Sequence, residues 1–131
     1  MEYRSQPSTI LLVEDDSIIR NLIAFALGRK NFNVIEATDG VAALDLSRAF
    51  EGEIELLLTD INMPRMDGTV LSDKILAERD GIRVLQMSGG CLQGSSNSGV
   101  SLPFLQKPFE VKTLLRKIDE VLSIPATSIT A

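Results

Sequence analysis

Leu56-Leu57-Leu58-Thr59-Asp60-Ile61-Asn62-Met63-Pro64 is a short apolar run that ends in a carboxylate, with a proline-bearing turn close behind. Apolar runs of this length, bounded by turn residues, belong to strands buried on both faces of a parallel sheet. In an open α/β sheet the ligand crevice lies outside the carboxyl ends of the strands. Asp60 therefore stands at the mouth of such a crevice, and the flanking sequence is read for what surrounds it.

Toward the N-terminus, residues 54–60 form one strand and residues 10–13, Ile-Leu-Leu-Val, form another that stops at Glu14-Asp15-Asp16. Asp16 or Ser17 caps the helix that follows, whose apolar stripe is Ile18, Ile19, Leu22, Ile23 and Ala26. Gly28 and the Lys30-Asn31 pair close that helix. Residues 33–37 alternate as a less buried strand near an edge. Asp39-Gly40 marks a turn before a helix over 41–50. Toward the C-terminus, Asp67-Gly68 opens a third helix carrying Val70, Leu71 and Ile75, and residues 83–88 make a fourth strand ending in Ser88. The stretch from Gly89 to Ser101 is rich in Gly and Ser, so a fourth helix there is expected to be short or disordered. Residues 103–106 make a fifth strand that opens on Pro103, where a missing donor is tolerated, and it ends at Lys107-Pro108. Val111, Leu114, Leu115, Ile118, Val121 and Leu122 mark the clearest amphipathic helix. Strand and helix thus alternate about five times, the pattern of parallel strands joined by right-handed crossovers with helices on both faces. The expected division is an N-terminal extension over 1–8, one domain over 9–123 and a tail over 124–131.

Composition narrows the chemistry. A chain of 131 residues, 44% hydrophobic and 24% charged, is one ordinary globular domain. Its net charge of -5 without a basic cluster argues against direct nucleic-acid binding. Histidine is absent, which removes a histidine base, a histidine nucleophile and a His-ligated metal. Cys91 is the one cysteine, so neither an internal disulfide nor a Cys-rich metal site exists. No signal core or membrane-length apolar run occurs, so a cytoplasmic protein without membrane contact is expected.

Four strand ends carry polar groups: Glu14-Asp15-Asp16, Asp60, Ser88 and Lys107. Each alone has a structural explanation, as a helix cap, a strand terminus or a solvated turn lysine. Together, in complementary charges at one sheet edge, they favour a site. Crowded carboxylates repel unless a cation neutralises them, and magnesium suits an all-oxygen set that also meets phosphate oxygens. Lys107 adds a second positive charge and Ser88 a hydrogen-bond donor. The implied chemistry is phosphoryl transfer onto the Asp60 carboxylate.

These same residues resemble the receiver domain of bacterial two-component response regulators. The resemblance runs from about Thr9 to Ser123. It rests on Ile10-Leu11-Leu12-Val13-Glu14-Asp15-Asp16, Leu58-Thr59-Asp60-Ile61-Asn62-Met63-Pro64 with Met66-Asp67-Gly68, Met87-Ser88-Gly89, and Phe104-Leu105-Gln106-Lys107-Pro108-Phe109. It implies a doubly wound, flavodoxin-like α/β fold with a five-stranded parallel sheet in the order 2-1-3-4-5, the order the chemotaxis receiver exemplifies. It also implies that Asp60 accepts phosphate from a sensor histidine kinase or a histidine phosphotransfer protein. Asp15 and Asp16 would bind magnesium with Asp60, completed by the backbone carbonyl of Asn62. Ser88 fills the family's hydroxyl switch position, Phe104 its switch aromatic, and Lys107-Pro108 a cis peptide. The output would be contact with a downstream protein target. Where the family carries its fourth helix, part of the usual output surface, this chain departs with its Gly/Ser-rich stretch. Nothing after the last helix resembles an output domain, so a stand-alone receiver or a chain continuing beyond its C-terminus is expected.

Two other readings compete. Aspartate-nucleophile phosphohydrolases resembling the haloacid dehalogenase group carry Asp-x-Asp after the first strand, whereas Asp60 follows the third and Asn62 replaces the general acid. A pseudo-receiver would fold in the same way and act only as a protein-binding module.

Overall fold

The computed structural model describes residues 7–89 and 102–123. Five strands, β1 (Thr9–Val13), β2 (Asn33–Ala37), β3 (Leu56–Asp60), β4 (Arg83–Ser88) and β5 (Phe104–Gln106), alternate with helices. Among the described residues these are α1 (Ser17–Arg29), α2 (Gly40–Ala49), α3 (Gly68–Glu78) and α4 (Val111–Ser123). All strand pairs are parallel and the order is β2-β1-β3-β4-β5. This is the doubly wound, flavodoxin-like sheet expected, with the half-exposed β2 at one edge. The expected fourth helix falls on residues 90–101, outside the described residues, as do the 124–131 tail and most of the 1–8 extension.

Side chains of successive strand residues point to opposite faces, and the core divides accordingly. Ile10 and Leu12 of β1, Leu56 and Leu58 of β3, and Leu85 and Met87 of β4 meet Ile23, Leu27, Leu114 and Ile118 of α1 and α4. Leu11, Val13, Leu57 and Val84 face the other way, onto Ala43 and Leu44 of α2 and Leu71 and Ile75 of α3. Such two-sided burial explains why β1 and β3 read as unbroken apolar runs.

Several boundaries differ from the sequence reading: β1 begins one residue earlier, at Thr9, and α2 spans Gly40–Ala49 rather than 41–50. β3 begins at Leu56 rather than at residue 54; Glu55, just before it, is tied to β1 by its N–H, which donates to the Thr9 carbonyl at 2.9 Å, and by its Oε1, which accepts from the Thr9 N–H at 2.6 Å. β5 begins at Phe104; Pro103 has no N–H for the ladder and contributes only its carbonyl, which accepts from the Gln86 N–H at 3.0 Å.

Three aspartates start three helices. Asp16, Asp39 and Asp67 each turn a carboxylate back onto first-turn N–H groups of α1, α2 and α3. α1 ends where Asn31 takes φ 67° and the Phe32 N–H returns to the Leu27 carbonyl, closing the helix as the sequence suggests. Bonds from the Thr69 hydroxyl and the Val70 and Thr69 N–H groups hold the Asp67 carboxyl below its ordinary pKa. A depressed carboxyl stabilises the fold fully above the ordinary value of 3.8 and loses that contribution as pH falls through the folded value. Asp67→Ala is therefore expected to cost about 1 kcal/mol near neutral pH. In urea unfolding the gap from wild type should narrow in acid, and a gap that stays constant there would contradict this role.

Candidate functional site

Parallel pairing brings the carboxyl ends of β1, β3, β4 and β5 to one edge. The register sets Val13 beside Thr59, Asp60 beside Met87, and Ser88 beside Gln106. The residues that step off those ends therefore share a crevice. Glu14 is 1% exposed and Asp60 6% exposed, so both carboxylates are held away from water. Lys107 reaches between them, its Nζ 2.7 Å from Glu14 Oε1 and 3.0 Å from Asp60 Oδ2. The Asp16 N–H donates to Glu14 Oε2 at 3.1 Å, and the Asn62 N–H to Asp60 Oδ1 at 3.2 Å.

Carboxylate oxygens of Glu14, Asp15 and Asp60 lie within 4.8 Å of one another. Of the acids expected to hold a cation, Asp15 and Asp60 are in this group. Asp16 is not, and Glu14 takes its place. The reason is local: Asp16 sits at the N-cap of α1, where its Oδ1 accepts from the Ile18 and Ile19 N–H groups at 2.9 and 3.2 Å. A signal for this was present in the sequence. The first residue off a buried strand is fixed by the sheet, whereas the acid next to the first helical turn is drawn into the cap.

The other expected residues fall as follows. Ser88 closes β4, is fully buried, and its carbonyl accepts the Lys107 N–H at 2.7 Å, tying the lysine's main chain to the sheet. Asn62 lies in the loop after β3 and touches the site through its backbone. Phe104 opens β5 half-buried, opposite Gln86 in register. The Lys107-Pro108 peptide is cis.

Electrostatics follow from burial and crowding. Desolvation pushes the Glu14 carboxyl above its ordinary pKa and repulsion from Asp60 adds to this, against the opposing bond from Lys107. Burial alone would lower the Lys107 pKa, but its bonds to Glu14 and Asp60 outweigh that and hold it above the usual lysine value. Three carboxylates against one ammonium leave the crevice negative. Its all-oxygen donor set, open on the Asp15 side, fits a hard divalent cation that keeps some of its waters.

The fold is a doubly wound parallel sheet with an acidic cleft at one edge, and sequence comparison gives the family. The model for the response regulator receiver domain matches residues 10–119, and the chain belongs to that family of two-component receiver domains. It is 31% identical over 121 residues to the sensor kinase CckA of Brucella abortus, covering 90% of this chain but 13% of that protein. It is 31% identical over 116 residues to the response regulator receiver protein CpdR of the same organism, covering 86% of this chain and 95% of CpdR. In fold it is similar to the receiver domain of the sensor histidine kinase PA1611 from Pseudomonas aeruginosa. There the TM-score is 0.77 at 24% identity, over 90% of this chain and 99% of that one. No helix among the described residues is long and apolar enough to cross a membrane.

A carboxyl whose folded pKa is raised supports the fold fully below its ordinary value, here 4.5, and withdraws that support as pH rises through the folded value. Metal-free protein is therefore expected to lose part of its stability above pH 4.5 through Glu14, a loss that Glu14→Gln removes. Urea unfolding of both forms across that range checks this; parallel pH profiles would contradict it.

Proposed function

We propose that this receiver domain is a phosphoacceptor, with Asp60 as the accepting residue. A sensor histidine kinase or histidine phosphotransfer protein is the donor. One Asp60 carboxylate oxygen forms a bond to phosphorus as the phosphorus–nitrogen bond of the donor phosphohistidine breaks, its electron pair remaining on the imidazole. The product is an acyl phosphate on Asp60.

The observation that carries this reading is the Lys107 bridge. An ammonium 3.0 Å from Asp60 Oδ2 and 2.7 Å from Glu14 Oε1 is poised to follow negative charge onto phosphoryl oxygens. Glu14, Asp15 and Asp60, with the Asn62 carbonyl, would hold magnesium; this set replaces the Asp15–Asp16 pair expected from the sequence. When bound, magnesium supplies the positive charge that lets a carboxylate approach a phosphoryl group in so acidic a cleft. The magnesium coordinated in the PA1611 active-site cleft supports the same choice of ion. Lys107 then orients the phosphoryl group and Ser88 donates its hydroxyl to another oxygen. The space Ser88 leaves admits Phe104, which alters the surface around β4 and β5 that a downstream protein reads.

The first test is intact mass after incubation with magnesium and acetyl phosphate. Wild type is expected to gain one phosphoryl group and Asp60→Asn none; equal phosphorylation of both would refute the acceptor. Lys107→Ala is expected to keep magnesium binding while losing the phosphorylation-linked resonance shifts around Phe104. Undiminished shifts in that variant would remove the lysine from the switch.

A further inference from the structure

Gln86 is out of pattern. It sits in the middle of β4, a strand flanked by β3 and β5, and is 0% exposed among apolar neighbours. A buried amide is costly unless it is hydrogen-bonded. Here Nε2 donates to Ser72 Oγ at 3.1 Å, and Ser72, also 0% exposed, donates in turn to the Gly68 carbonyl at 2.6 Å. The relay thus leads from the middle of β4 into the first turn of α3.

That turn presses on the acceptor. Gly68 has no room for a side chain: an added Cβ would collide with the Asp60 carbonyl oxygen and come within 2.9 Å of Ile61 Cα. Its own N–H donates to the Ile61 carbonyl at 2.8 Å. The Asp60 carbonyl also accepts from the Thr59 hydroxyl at 2.9 Å. A shift of Gly68 therefore becomes a shift of the main chain that carries Asp60. Gln86 also lies two residues before Ser88, so both side chains leave β4 on the same face.

We propose that Gln86 and Ser72 are positioning residues for Asp60: their hydrogen bonds hold the first turn of α3 against the acceptor's main chain. The proposal rests on the phosphoacceptor reading above and adds to it two residues that touch neither phosphoryl group nor metal. Replacing both partners of a buried hydrogen bond by apolar groups of similar shape can be nearly neutral for stability. The pair is thus separable from folding in a way that single core leucines are not.

The variants are Gln86→Met, Ser72→Ala and the double substitution. Each is compared with wild type for the rate of phosphorylation by acetyl phosphate at saturating magnesium, expressed per folded molecule. The amide resonances of Asp60, Ile61 and Gly68 are followed in metal-free protein. A displacement of a few tenths of an ångström at the reacting carboxylate is expected to slow phosphorylation about tenfold. Those three resonances should move in each single variant, and the double should be no slower than the worse single. A pair that serves packing alone would lower the unfolding midpoint yet leave the folded-state rate at its wild-type value, which would overturn the proposal. Should wild type itself take no phosphoryl group, the acceptor reading fails separately. The resonances then decide: shifts at Asp60 and Ile61 support the brace, and their absence refutes it. Ser72→Ala, the smallest change, keeps the test available if Gln86→Met fails to fold.

Discussion

One ammonium group between two buried carboxylates is the contact on which this molecule turns. Lys107 meets Glu14 and Asp60 across sequence separations of 93 and 47 residues, so the bridge exists only when β1, β3 and the end of β5 lie at one edge. The attraction offsets part of the cost of desolvating three charges. It does not offset all of it, since a third carboxylate, Asp15, adjoins the pair. The cleft therefore keeps a surplus of negative charge that a cation would complement. A core of leucine and isoleucine on both sheet faces supplies the stability against which such a site is maintained.

The parts around the bridge keep its members where the chemistry needs them. The Ser88 carbonyl holds the Lys107 main chain, and the Glu14 carbonyl is gripped by Arg20, whose Nη1 donates to it at 2.8 Å. On the other side, Asp39 caps α2 with Oδ1 and takes Arg65 on Oδ2 at 2.7 Å, joining the loop after β3 to the start of α2. Arg65 adopts φ 70° in that loop, a conformation that its ion pair with Asp39 helps to maintain. Asp60 is thus braced through its backbone while its buried carboxylate meets Lys107 at the edge of the sheet.

Much of this was readable in the residues. Strands buried on both faces are largely apolar, so β1 and β3 stand out in the sequence, and a carboxylate ending such a run has nowhere to go but the crevice. Lys107 was readable for the same reason. What escaped depends on direction in space. Glu14 and Asp16 are two residues apart in one acidic run; the sequence offers Asp16 as a helix cap, but that Glu14 enters the cleft is set by the turn from β1 into α1. The Gln86–Ser72 bond was invisible because it joins two elements that the sequence separates, and a lone glutamine in a strand has no pattern of its own. The start of β3 carries no mark in the sequence, because Ile54 is as apolar as the strand it precedes and is buried without pairing.

The central claim is that the phosphoryl group resides on Asp60 and on no other acid of the cleft. Borohydride reduction after exposure to magnesium and acetyl phosphate reads this directly, because it converts an acyl phosphate to the corresponding alcohol. Tandem mass spectrometry of the digested protein should then find homoserine at position 60, with positions 14 and 15 unchanged. Conversion at position 14 or 15, or an intact aspartate at position 60 in protein carrying the phosphoryl mass, would contradict the account.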